Sequence, residues 1–199
     1  AHTDDPNALE VGARVHNRAM GRFCADDDRL LAGGYVPLQL GPEIAGRLID
    51  EAVADGCYSV MIDPSDPDPA ARSFTHPDFD PVWARFAGRD VPFILHIAVD
   101  GHYDPVPRSL KNNARADTAL GGDAPDSILG VLTMSTSIEL FLSAMIFDGV
   151  FERHDGLRCV SLERGASWVP GWLHQLDWVE HQARRQLPRE RKALSLIHI

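Results

Sequence analysis

Apolar and polar positions alternate along this chain with two periods, one near 3.6 residues and one of 2. Residues 5–27, "DPNALEVGARVHNRAMGRFCADD", predict a helix with Leu9, Val15, Ala19 and Phe23 roughly on one side. "GGYVPLQ" predicts a short strand. "GPEIAGRLIDEAVADG" predicts a well-marked helix whose apolar stripe is Ile44, Leu48, Ile49, Ala52 and Val53. Pro42 suits its first position, Glu43 its positive end and Gly56 its C-cap. "CYSVMID" is the next strand. "DPVWARFAGRD" follows as a short helix, with Asp80 as N-cap, Pro81 at the first position and Gly88 at the end. "VPFILHIA" is a third strand. A polar loop covers about 99–126, and "SILGVLTMSTSIELFLSAMIFDGVFERH" reads as one long, mostly buried helix. "LRCVSLE" is a fourth strand, and "ASWVPGWLHQLDWVEHQARRQ" a last helix that ends before Pro188.

Strands that alternate with helices imply βαβ units and a parallel sheet. The strands are expected at 33–38, 57–63, 92–98 and 157–163. Two architectures fit, a (β/α)8 barrel or an open doubly wound sheet. No glycine-rich phosphate fingerprint follows any strand, which weakens the nucleotide-binding form of the second. Four strands alone cannot close a barrel and leave two open edges.

Residues of one parity in a strand share a face. Cys57, Ser59, Met61 and Asp63 are expected to lie opposite Tyr58, Val60 and Ile62. Ile94, His96 and Ala98 lie opposite Phe93, Leu95 and Ile97. Cys159, Ser161 and Glu163 lie opposite Val160 and Leu162, and Gln39 sits with Tyr35 and Pro37. The last polar residue of the mixed face is then Gln39, Asp63, His96 or Glu163, always at the C-terminal end of a strand. Barrels and open sheets both place their chemistry there. Each residue has a plainer reading: a packed histidine, a turn in "DPSDPDP", a glutamate paired with Arg164 or another arginine, a structural glutamine. Their coincidence at one rim outweighs any single member. No motif completes a site by itself.

The formal charge is −10, with 29 acidic against 19 basic residues, and this argues against a general nucleic-acid binder. Cys24, Cys57 and Cys159 match no zinc or redox spacing and read as reduced thiols, in keeping with a cytoplasmic location. No apolar stretch approaches the roughly 20 residues of a membrane span, and "AHTDDPNALE" does not read as a signal peptide. Only Lys111 and Lys192 are lysine, an arginine bias that the terminal "LSLIHI" breaks. Those six residues look like one reading frame through the end of a transposase-based sequencing adaptor. The expected organisation is an incomplete domain over 1–193 and a non-native tail at 194–199, from a gene fragment open at both ends.

"HNRAMGRFCADDDRLLAGGYVPLQ", "RLIDEAVADGCYSVMI", "HPDFDPVWARFAGRDVPFILHIA" and "GVFERHDGLRCVSLERGASWVPGWLHQLD" resemble the amidohydrolase-related proteins known as amidohydrolase family 2. Aminocarboxymuconate-semialdehyde decarboxylase and the resorcylate decarboxylases belong to that family. The resemblance covers most of residues 16–180. It implies a distorted (β/α)8 barrel of which these are strands three to six, and a divalent metal, often zinc. It also implies ligation by a His-x-His or Glu-x-His pair on strand one, a His on strand five and an Asp on strand eight. His96 matches the strand-five ligand; the first pair would lie upstream of Ala1 and the Asp downstream of Lys192. Many members carry a catalytic His at the end of strand six, where this chain has Glu163.

Three functions follow as expectations. The first is a metal-dependent hydrolase or decarboxylase of a small carboxylated or cyclic substrate. In it His96 is a zinc ligand, Glu163 is catalytic and Asp63 binds substrate. It is inactive as this isolated chain, with no metal held by the chain alone. The second is a metal-free, lactonase-type hydrolase that uses Glu163 and Asp63 as acid and base. The third is a non-catalytic binding or assembly module built on the Trp-rich helix, where Trp168, Trp172 and Trp178 would lie at an interface or in core and rim packing. The expected partner is a small molecule, with no nucleic acid or membrane, and a homo-oligomer is compatible.

Overall fold

The computed structural model describes residues 3, 5–64, 66, 68–96, 106–111 and 128–186. Its elements are α1 (Pro6–Cys24), β1 (Ala32–Val36), α2 (Pro42–Ala54), β2 (Cys57–Ile62), α3 (Asp80–Gly88), β3 (Phe93–His96), α4 (Arg108–Lys111), α5 (Ile128–Leu132), α6 (Thr136–Phe147), α7 (Val150–Arg153), β4 (Cys159–Leu162) and α8 (Val169–Gln186). The expected loop at 99–126, the strand-end residues Ile97 and Ala98, and the 194–199 tail lie outside the described residues, save 106–111 within the loop.

The four strands form one parallel sheet in the order β1-β2-β3-β4. A doubly wound sheet reverses its strand order at a switch point. Here neighbours in sequence are neighbours in space throughout, as around part of a (β/α)8 barrel. Burial adds to the argument. Val36, Val60, Ile62, Phe93 and Leu95 are fully buried on one face, whereas Tyr35, Ser59, Met61, Ile94 and His96 on the other are not. The described helices therefore cover one side of the sheet. The core on that side centres on Trp83, whose ring lies 5.9 Å from Phe86, 5.4 Å from Phe93 and 6.4 Å from Phe141. Its indole N–H donates to the Phe74 carbonyl at 2.8 Å.

α2 follows its sequence signals. Pro42 opens it, Glu43 lies in the first turn, and Gly56 at φ +95° takes the left-handed position just past its end. α1 departs from expectation. Val15 and Phe23 are exposed, and the buried stripe is Ala13, Asn17 and Gly21. Small residues win because the helix approaches backbone: a Cβ on Gly21 would stand 1.7 Å from the Asp55 carbonyl oxygen. Asn17 then reaches the edge of β1. It accepts from the Tyr35 N–H at 2.7 Å and donates to the Tyr35 carbonyl at 3.0 Å, the two bonds that a neighbouring strand would make.

Asp80 is not the N-cap of α3; it is the first helical residue, after Phe79. Its carboxylate is drawn away by Arg153 (2.9 Å) and His154 (3.2 Å), and Arg153 also donates to the Thr75 and Asp148 carbonyls. Burial pushes the Asp80 carboxyl up, but the bonds from Arg153 and His154 outweigh it and leave it below the usual 3.8. A depressed carboxyl contributes stability above its unfolded value and loses it as the pH falls through the folded one. Asp80→Asn is therefore expected to cost stability at pH 6 and progressively less towards pH 3. Urea titrations of both proteins at the two pH values check this; an equal cost at both would refute it.

The expected long helix is three helices. Thr133 turns its hydroxyl back onto the Leu129 carbonyl between α5 and α6, and Gly149 at φ +70° separates α6 from α7. The sequence also suggested no stretch apolar enough to span a membrane. Leu129–Phe147 is that long and apolar. A turn at 133–135 interrupts it, and Ile138, Met145 and Ile146 are buried whereas Leu132 and Leu140 are exposed. α8 packs by Trp172, whose N–H donates to Ser143 Oγ at 2.9 Å, and Trp168 lies beside it at 5.6 Å. Trp178 is exposed.

Candidate active site

The C-terminal ends of the strands lie side by side. The register pairs Tyr35 with Met61 and Met61 with Ile94, so these residues share the face away from the helices. Continuing that face along β2 and β3 leads to Asp63 and His96, as their parity predicts. Two inferences from parity need correction. The β1–β2 register shifts next to Ala32 and Gly33, and Cys57 is buried on the helix side with Ala32, not with Ser59 and Met61. The parity of β4 is reversed: Cys159 and Ser161 align with the buried Phe93 and Leu95, and Val160 and Leu162 align with Ile94 and His96. The Cys159 thiol accordingly feels its burial and is pushed up to about 12. In β4 the polar residues had been read as inward because its apolar ones are aliphatic; the edge position leaves those aliphatic side chains part-exposed instead.

Glu163 nonetheless reaches the site. By alternation it would point to the helix side after Leu162. It has φ +60°, in the left-handed region, so the chain turns and the side chain swings back. Its carboxylate oxygen Oε2 lies 3.5 Å from His96 Nε2. That is longer than an ordinary N–H···O bond of about 2.7–3.2 Å, so the contact is electrostatic. Glu163 is the more exposed partner and His96 is half-buried.

A second group forms at the ends of β1 and β2. Pro37 has no N–H to continue the ladder, and the chain tightens into a 3-10 turn over Leu38–Leu40. Gln39 is thus not on a strand, yet its side chain lies near the Tyr35 hydroxyl, and its buried amide oxygen finds no hydrogen-bond partner among the described residues. Burial, and then the charge of Asp63, push the Tyr35 hydroxyl up to about 12 against the nearby Gln39 side chain. Asp63 is almost fully buried. Pro64, next to it, lines a small pocket of about 190 Å³ under the loop 66–75, closed on the far side by Phe141 and Ala144.

Sequence reasoning considered Arg164 only as a pairing partner for Glu163. Arg164 is 6% exposed, and its guanidinium donates to the His96 carbonyl at 2.8 Å, to Ser137 Oγ at 3.2 Å and to the Met134 carbonyl. Nothing in the local pattern distinguishes it from a surface arginine, because its acceptors lie 27 to 68 residues away. Tyr35 was not singled out.

Among the described residues no three His, Cys, Asp or Glu side chains converge as a metal site needs. His96 and Glu163 are two adjacent donors at most, so the described residues do not by themselves fit a catalytic metal.

A sequence profile described as Amidohydrolase matches residues 4–196. No protein of curated function matches the chain. Among solved structures, an amidohydrolase from Mycobacterium avium subsp. paratuberculosis K-10 is similar, with 28% identity and a TM-score of 0.68 over 94% of this chain. The Metarhizium anisopliae IDCase (19%, TM-score 0.66, 90% of this chain) and a 2,6-dihydroxybenzoate decarboxylase from Rhizobium (22%, TM-score 0.64, 94%) share the fold. The chain spans 46%, 45% and 54% of those three proteins, about half their length. With a sequential parallel sheet, helices on one side of it and a family match over nearly its whole length, the chain belongs to the amidohydrolase family.

Proposed function

We propose that this chain is part of a metal-dependent amidohydrolase-family enzyme that hydrolyses a C–N or C–O bond, or removes a carboxylate, from a small carboxylated or cyclic substrate. The observation that carries the proposal is the His96–Glu163 pair, 3.5 Å apart at the rim where such sheets do chemistry. His96 is one ligand of a metal whose other donors lie beyond the described residues. Such an ion would polarise a carbonyl or carboxylate and activate water. Glu163 positions the substrate or moves a proton, and Asp63, held beside Tyr35, contacts the substrate's polar end. On this reading residues 1–193 are an incomplete barrel and the isolated chain is inactive.

The same pair supports a metal-free hydrolase in which Glu163 is the general acid or base. Metal analysis of the full-length protein separates the two. About one divalent ion per subunit, with an H-x-H or E-x-H pair in the first strand, is the expected result. A full-length gene without that pair would end the metal reading.

A further inference from the structure

We propose that Arg164 is the positioning residue of the His96–Glu163 pair, holding Glu163 against the imidazole from behind. The inference deepens the proposed function and rests on that pair being the site. Glu163 sits at φ +60° and Gly165 at φ +61°, on either side of Arg164. Glycine takes such a conformation freely; a glutamate held there is strained. A strained residue persists where its surroundings over-determine it. Among the described residues, those surroundings include three acceptors of Arg164. Two lie at the start of α6, the Met134 carbonyl and Ser137 Oγ, and the third is the carbonyl of His96 itself.

One guanidinium therefore ties the turn after β4 to the end of β3 and to a core helix. With the side chain of residue 164 directed inward, its neighbour Glu163 is turned to the opposite side, over the rim. The strand alternation alone would have sent Glu163 to the helix face, so the pair depends on this turn. The planar fork of arginine serves acceptors on different elements at once. A lysine ammonium reaches as a single point and cannot span them in the same way. Arg164 donates to the backbone carbonyl of His96, so the role assigned to it is to aim the pair, not to react.

The test uses the 199-residue chain and needs no turnover. Selective labelling of His and Glu allows the through-space NMR cross-peak between the His96 ring and the Glu163 side chain to be followed at low protein concentration. The wild-type chain is expected to show it. Arg164→Met is expected to lose it while circular dichroism and a cooperative melt show the fold retained, and Arg164→Lys is expected to weaken it clearly. Arg158→Ala, which removes a pair with Asp90 at the other end of β4, perturbs the same strand and should leave the cross-peak unchanged. Should Arg164→Met fail to fold, Arg164→Lys decides alone. A wild-type cross-peak in either folded Arg164 variant, or its loss in Arg158→Ala, overturns the positioning role. Absence of the cross-peak from the wild-type chain instead removes the pair, and with it the proposed site.

Discussion

On the proposed function, Glu163→Gln in the full-length protein is expected to lower turnover by about 10²–10⁴-fold, the usual contribution of a proton-transferring side chain, while bound metal stays in place. Glutamine keeps the length and shape of glutamate but can neither carry the charge nor accept a proton at neutral pH. It fits the same left-handed turn at no greater backbone cost, so the effect reads chemistry and not folding. His96→Ala is expected to remove metal and activity together, because it removes the ligand that β3 contributes. Parallel metal analysis and steady-state kinetics on the two variants check the division of roles. If Glu163→Gln strips the metal as fully as His96→Ala, Glu163 is a ligand and the assignment fails. If both variants turn over normally, the site lies elsewhere on the rim.

Trp83→Ala is expected to cost about 3–5 kcal/mol, a large share of the roughly 5–15 kcal/mol that holds a domain together. Trp83 is fully buried among Phe86, Phe93 and Phe141, so its removal leaves a cavity bordered by α3, β3 and α6. It also leaves the Phe74 carbonyl without its indole donor. Trp83→Phe separates the two effects: the ring is largely kept and the hydrogen bond is lost, for about 1 kcal/mol from the bond plus a smaller packing term. Urea denaturation of the three proteins gives both values. A cost below about 1 kcal/mol for Trp83→Ala would mean that the helix side is not packed as described.

The elements of this fold were legible where local chemistry decides them. The Pro42 start and Gly56 stop of α2 are set by backbone sterics within a few residues, and the parallel sheet follows from the βα alternation. The faces were legible only where a helix covers the sheet. In β2 and β3, burial sorts large apolar residues to one side, so the faces of Met61 and Ile94 follow the expected parity. In β4, an edge strand, neither face is fully covered, and side-chain character stops reporting direction. Glu163 was assigned to the rim on a parity that proved reversed, and it arrives there by a left-handed turn instead. α1 misled for a related reason: its contact is with backbone, which selects Gly21 and Asn17 over the larger Val15 and Phe23. The role of Arg164 was not legible, because the acceptors that define it among the described residues lie far away in sequence.

The two margins of the sheet are chemically unlike. At β1 the Tyr35 N–H and carbonyl are already occupied by the Asn17 amide, so an incoming strand must first displace a side chain. At β4 the described residues supply no second strand, and the Val160 and Leu162 side chains stand part-exposed beside that margin. Lateral growth of the sheet is therefore directional, with β4 as its receptive end. Misassembly through that margin would start on the strand that leads directly into the turn that presents Glu163.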